Sequence, residues 1–362
     1  MEKFRKLTKF LIPAFIFQSV VIGGGYGTGA EIAQYFGVNG MVGGLLAAAV
    51  TTVVWSVLCA VTFEFVRLYR TFDYNSMMGT LLGKLGFLYE VCYIILMLIV
   101  LGVINATAGS MFSALTGLSS WIGIAILSAG IILLIIKGTE AIEKVLSFWS
   151  YVLYAVYILF LIIVFVKFGG NIAGEFAKGE IGASWFGDGL EYAFYNLGIV
   201  PALLYTMRDA KSRKEAVSCG LMCGIIGVIP AVLLLLAMGA SFAEVIAAEV
   251  PVTVIFNVLN MKWLYILFEI VLFGTLIETG TGFIKAVDDR IEVTVAAKGG
   301  HVPAWVRPAI AVVSVAIGVG VSTFGLTGLI AKGYGTICWG FCAVYVVPML
   351  TIGVYKIAKF KK

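Results

Sequence analysis

The sequence predicts an all-α integral membrane protein of ten transmembrane helices, built as a five-plus-five inverted repeat whose helices 1 and 6 are broken at mid-membrane. Three observations carry this. Hydrophobic residues make up 61% of the 362 residues and charged residues only 12%, too few charges to cover a soluble surface, where a quarter is usual. Apolar runs of about 20 residues, long enough to cross a bilayer, recur along the whole chain. Two of these runs carry helix-breaking segments about 173 positions apart, the spacing of a duplicated unit.

The ten runs cover roughly residues 10–36, 40–66, 86–113, 120–137, 144–168, 186–207, 213–238, 261–286, 304–323 and 329–356. They are continuous rather than alternating, which excludes transmembrane β-strands. With the N-terminus in the cytoplasm, the inner connections hold 21 of the 25 Lys and Arg residues, and only Lys167, Lys178, Lys262 and Lys332 fall outside. This distribution satisfies the positive-inside rule. It places both termini in the cytoplasm of a multi-pass protein of the cell membrane, and an even number of spans agrees with ten. The first run shows no small-residue cleavage site and resumes past its glycines, so it reads as a span rather than a signal peptide. Residues 240–260, broken by Glu244, Glu249 and Pro251, read as an outer helical hairpin. Residues 169–185 read as a glycine-rich outer connection between two repeats, 1–170 and 171–362.

The first span contains Gly23-Gly24-Gly25-Tyr26-Gly27-Thr28-Gly29, and five glycines in seven residues sustain a helix poorly. The sixth contains Asn196-Leu197-Gly198-Ile199-Val200-Pro201, where proline removes a backbone donor and disfavours helix in the residue before it. A glycine run alone is explained by close packing and a proline alone by a kink. Two interruptions at matching places in an inverted repeat point instead to a binding site at the repeat interface, because unwound backbone at membrane depth is tolerated only where it is buried or lines a cavity. Freed N–H groups suit a carboxylate, and freed carbonyls suit a cation or ammonium group.

This arrangement resembles the leucine-transporter (LeuT-like) fold of the amino acid–polyamine–organocation superfamily. The segment Ile22-Gly23-Gly24-Gly25-Tyr26-Gly27-Thr28-Gly29-Ala30-Glu31-Ile32 is similar, more specifically, to the YkvI-like family of small amino acid permeases. The resemblance implies a secondary transporter for a small amino acid or related carboxylate. It implies that Gly24, Gly25, Tyr26, Gly27 and Thr28 form a turn holding the substrate carboxylate, and that Tyr195, Asn196, Leu197, Gly198 and Ile199 contact its other face. It also implies a cation site built from the Val21 and Gly24 carbonyls and the eighth span. Thr28 stands where the fold often has a sodium-ligating Asn, which argues against a second, substrate-linked sodium site. Glu31 takes a position where the fold often has an Arg of an outer gate, and Lys332 would complete that gate with the signs reversed. Two unrelated solvated charges explain the pair equally well.

In the eighth span, Thr275, Glu278 and Thr279 share one face by their spacing. The fold's cation site uses the same spacing, usually with small and hydroxyl residues. A carboxylate there can carry a proton or neutralise sodium, so the coupling ion is H+ or Na+. Intramembrane carboxylates are costly and usually functional, and packing is the competing explanation. Glu269, Glu64 and Glu90 read as structural, whereas Glu191 is equally suited to lining the outer vestibule. Tyr93 and Asn105 are further pocket candidates.

Other classes find little support. Net charge is only +5, with no basic stripe for nucleic acid. The six cysteines and lone His301 lack metal-site spacing. No P-loop supports primary transport, and no catalytic cluster supports an enzyme. No cofactor is expected beyond the coupling ion, and the partners are a small-molecule substrate and the lipid bilayer. A channel, or a sensor that keeps a transporter-like pocket, is the alternative.

Overall fold

The computed structural model describes residues 2–297 and 299–360; Lys298, Lys361 and Lys362 of the cation tally lie outside the described residues. The chain is helical throughout, with no strand among the described residues. In order the helices are α1 (Glu2–Val21), α2 (Gly24–Gly27), α3 (Ala30–Tyr35), α4 (Gly40–Tyr69), α5 (Tyr74–Leu82), α6 (Phe87–Thr116), α7 (Ser120–Lys137), α8 (Thr139–Ala177) and α9 (Trp185–Leu197). They continue with α10 (Arg213–Met238), α11 (Phe242–Ala247), α12 (Pro251–Leu259), α13 (Lys262–Ala297), α14 (Val306–Ser322) and α15 (Leu326–Lys359). Seven stretches among the described residues are long and apolar enough to cross a membrane, and Leu11–Val21 and Val306–Ser322 are shorter apolar helices.

Two packed groups form the molecule. In one, α4 lies along α10 and α9, and α1 lies along α10. In the other, α6, α7, α13 and α14 pack on one another, with α8 against α13. The first group is held by close backbone approach. Gly220 and Gly224 form a small-xxx-small pair that lets helix backbones meet. A methyl on Gly224 would overlap the Thr52 carbonyl and lie 2.6 Å from the Ser56 backbone nitrogen. Side chains then bond across the helices to backbone carbonyls, a satisfied use of polar groups in an apolar interior. Ser56 Oγ donates to Leu221 O at 2.9 Å, Trp55 Nε1 to Ala193 O at 3.1 Å, and Gln18 Nε2 to Ile226 O at 2.8 Å.

The outer connection differs from expectation. Residues 169–177 continue α8 past a kink at Phe168 (φ −119°, ψ 17°) instead of forming a loop. Gly169, Gly170 and Gly174 have nothing within 4 Å of a Cβ, and the extension is docked where Asn171 Nδ2 donates to Ala240 O at 3.2 Å. The α11–α12 pair forms at 242–259, within the expected hairpin. Its Val252 N–H donates to Thr28 O at 3.0 Å, which ties the pair to the glycine run.

Candidate functional site

The glycine run folds into a double step. α1 ends at Val21, and a tight turn follows in which Gly23 N donates to Val21 O at 2.8 Å. One helical turn, α2, is closed by Gly27 N to Gly23 O at 2.9 Å. Gly29 then adopts φ +81°, a left-handed conformation that favours glycine, and α3 begins. Thr28 stabilises this path: its Oγ1 donates to Gly25 O at 2.9 Å and accepts from Ala30 N at 3.3 Å. On the other side, α9 ends at Leu197 and a 3-10 segment begins at Val200. Tyr89 Oη donates to Gly198 O and so takes up a carbonyl at that junction.

Two adjacent cavities lie between these interruptions and α13. The larger, about 250 Å3, is lined by Ser19, Tyr93, Tyr154, Thr275, Glu278 and Ala286, among others. The smaller, about 40 Å3, is bounded by Gly23, Glu31, Tyr195, Asn196 and Tyr334. Val20, Ile199, Thr279 and Phe283 line both. The larger cavity runs toward the charged end of α13, where Lys285 and Asp289 pair and Arg290 binds Glu90 and Asn75. The opposite side is closed by the rings of Tyr195 and Tyr334, stacked with centroids 4.5 Å apart at 10°, and by Tyr35 and Tyr192 beside them.

The expected site residues divide accordingly. Val21, Tyr195, Asn196, Ile199, Thr275, Glu278 and Thr279 line the cavities together, with Tyr93. Thr275 Oγ1 donates to Val271 O at 3.0 Å and Thr279 Oγ1 to Thr275 O at 2.9 Å, which leaves the hydroxyl lone pairs available as acceptors. Asn196 Nδ2 donates to Tyr192 O at 3.0 Å, which fixes the amide. Gly25, Tyr26, Gly27, Thr28, Leu197 and Gly198 do not line either cavity, and the surroundings of Gly24 lie outside what is described. They shape the backbone instead: a Cβ on Gly198 would lie 2.6 Å from the Phe341 ring, and Tyr26 and Thr28 are fully buried. Asn105 bonds to Leu101 O at 2.7 Å and accepts from Ser128 at 3.3 Å, joining α6 to α7 away from the site.

The Glu31–Lys332 gate is not formed. Glu31 is 4% exposed, and its carboxylate accepts a hydrogen bond from Tyr195 Oη. Lys332 is exposed on another face of α15, in a groove with Cys92, Ile95 and Phe324. The flanking residues explain this: Ile330 O accepts from Tyr35 Oη and Tyr334 stacks on Tyr195, so the face of α15 between them is turned to the site and Lys332 is turned away. Glu31 instead folds back onto α2. A methyl on Gly25 would overlap its Oε1 and lie 3.0 Å from its Cδ and Cγ. The turn expected to hold a substrate carboxylate is therefore covered by one of the protein's own.

Ser19, Tyr154, Phe283 and Tyr334 were not anticipated as lining residues. Phe283 lies four positions after Thr279, a spacing that places it one turn along the same face. Tyr334 carries no such signal.

No family model and no curated protein matches the chain. Solved structures do. A variant of the manganese transporter of Eremococcus coleocola is similar with a TM-score of 0.57 at 16% identity, over 96% of this chain and 79% of that one. The same transporter with a bound aromatic bis-isothiourea compound gives 0.56 at 14%, over 99% and 87%. A Na+-coupled sialic acid symporter in a substrate-bound outward-open state gives 0.55 at 11%, over 96% and 86%. The fold is therefore that of the leucine-transporter-like secondary transporters.

Proposed function

We propose that this chain is a cation-coupled secondary active transporter, a symporter, of a small amino acid or related carboxylate, working by alternating access. The observation that carries this reading is the meeting of two helix interruptions, at Ile22–Gly23 and Gly198–Ile199, beside cavities that also receive Thr275, Glu278 and Thr279 from α13. The neighbours of like fold are secondary transporters, and the glycine-rich segment ending in Glu31 favours the YkvI-like permeases within the amino acid–polyamine–organocation superfamily. In this reading the chain spans the cell membrane ten times as two inverted repeats, 1–170 and 171–362, with the cation-rich side in the cytoplasm. The group α1, α4, α9 and α10 rocks against the group α6, α7, α13 and α14. The cavity that runs toward Ala286 then belongs to an inward-facing state, closed on the outside by the Tyr195–Tyr334 stack and the α11–α12 pair.

Glu278 is the coupling residue in this account. It lines the larger cavity with Ser19, Thr275 and Thr279, an oxygen-rich set that suits a hard cation, and a carboxylate in that place also serves as a proton carrier. A proton is favoured over sodium, because a carboxylate replaces the neutral hydroxyl expected at a sodium site. The test is uptake of labelled alanine into liposomes under an imposed pH gradient or an imposed sodium gradient. Wild type should accumulate alanine under the pH gradient, and Glu278→Gln should exchange alanine without accumulating it. Undiminished accumulation by Glu278→Gln would remove this residue from the mechanism.

A further inference from the structure

Glu31 is a buried carboxylate in an unusual setting. It is 4% exposed, and the smaller cavity opens onto it. Its one hydrogen-bond donor among the described residues is the Tyr195 hydroxyl, and no Lys, Arg or His nitrogen among them lies within 4.0 Å of it. Three neighbouring polar groups are committed elsewhere, and the buried Tyr26 and Tyr192 hydroxyls have no hydrogen-bond partner among the described residues. Tyr35 Oη donates to Ile330 O at 3.0 Å, Thr28 Oγ1 to Gly25 O at 2.9 Å, and Asn196 Nδ2 to Tyr192 O at 3.0 Å. Tyr195 and Tyr334 line the smaller cavity with the carboxylate, and Tyr35 and Tyr192 pack against the Tyr195 ring. Among the described residues no basic side chain lines either cavity, and the charged groups that do are Glu31 and Glu278. A desolvated carboxylate without a fixed counter-charge is costly, and a mobile cation that completes the site removes the cost.

We propose that Glu31 is the receptor for a primary ammonium group on the transported solute. The proposal rests on the transporter reading above and narrows it: the cargo is a small amine or amino acid, and a carboxylate without an amine is excluded. The size of the space agrees. About 40 Å3 beside Glu31 holds an ammonium head, since roughly 10–15 Å3 on this measure is enough for one water. The adjacent 250 Å3 space, walled by Val20, Leu153, Ile199 and Phe283, has room for the rest of the molecule. A bare metal ion has no use for that apolar volume.

The experiment compares three probes of matched size on the purified full-length protein: alanine, ethylammonium (alanine without its carboxylate) and propionate (alanine without its amine), with Mn2+ as a fourth arm. Binding is read as a rise in the thermal midpoint and by calorimetry at constant ionic strength. Alanine and ethylammonium should bind and propionate should not. Glu31→Gln should weaken both amines at least tenfold while its ligand-free midpoint and elution volume stay near wild type, and Lys332→Gln should bind as wild type. Should Glu31→Gln fold poorly, Tyr195→Phe, which removes the hydroxyl that holds the carboxylate, should weaken both amines in the same order. Propionate binding as well as ethylammonium, binding by neither amine, binding of Mn2+ alone, or full amine affinity in Glu31→Gln or, where that variant folds poorly, in Tyr195→Phe would overturn the proposal. Propionate binding would leave the transporter reading standing. Amine binding without flux in liposomes would refute that reading and leave the receptor.

Discussion

Gly25→Ala is the sharpest small perturbation of the site. The added methyl would overlap Glu31 Oε1 and lie 3.0 Å from Cδ and Cγ, where ordinary contact begins at 3.4 Å. The obstructing atoms are the end of a flexible side chain, so the fold survives and the carboxylate retreats, by roughly 1 Å on van der Waals radii. That retreat draws it off the Tyr195 hydroxyl, its hydrogen-bond donor. A hydrogen bond to a charged group contributes about 1.5–3 kcal/mol, so cargo that needs the carboxylate in place should bind roughly 10- to 150-fold more weakly. Glu31→Asp withdraws the carboxylate from Gly25 by one methylene. In that background Gly25→Ala should therefore cost much less, and the two substitutions should be strongly non-additive, as contacting residues are. Alanine binding to the four proteins of this cycle is read by calorimetry, with Gly174→Ala as control because nothing lies within 4 Å of its Cβ. Wild-type affinity in Gly25→Ala, or strict additivity in the cycle, would refute the contact between α2 and Glu31.

Gly224→Leu should lower the thermal midpoint by an amount equivalent to about 1–3 kcal/mol, the usual cost of overpacking, because its side chain would be driven into the α4 backbone at Thr52 and Ser56; an unchanged midpoint in a melting scan contradicts the close approach. Gly29→Ala should destabilise by at least about 1–2 kcal/mol from its left-handed backbone, with further crowding against Met238, Pro251 and Val252 at 3.0–3.3 Å, again read by melting. Lys332→Gln should leave alanine uptake kinetics unchanged, whereas Glu31→Gln should abolish uptake, since the two residues face different surroundings. Breaking the partly exposed Arg290–Glu90 pair by Glu90→Gln should cost no more than about 1 kcal/mol of stability.

The all-helical membrane architecture was legible because the chain is a succession of apolar runs, seven of them among the described residues long enough to cross a membrane, and the glycine and proline segments carry a backbone chemistry that disfavours helix. The Thr275–Glu278–Thr279 face was legible for a similar reason, since helical spacing alone places those residues together. Glu31 shows where sequence reading stops. Its place in the chain suggested a gate charge at the rim, but whether a side chain turns outward or folds back depends on the left-handed step at Gly29 and on Tyr195 and Tyr334 from distant parts of the chain. The same non-local dependence misplaced Lys332, whose facing is set by the partners of Ile330 and Tyr334. Thr28 was expected to touch substrate, but a hydroxyl beside freed backbone bonds locally first. The extension of α8 through Gly169 and Gly170 shows that exposed glycines do not end a helix that is docked by a neighbour.

The central claim is that solute crosses the membrane by alternate exposure of the cavity between the two interruptions. Counterflow tests it most directly: liposomes carrying the protein are preloaded with unlabelled alanine and diluted into a trace of labelled alanine. The account predicts a transient accumulation of label above equilibrium that saturates with alanine concentration and is lost in Gly25→Leu. A steady, unsaturable leak of label, as through a channel, or alanine binding with no movement of label, as in a sensor, would contradict it.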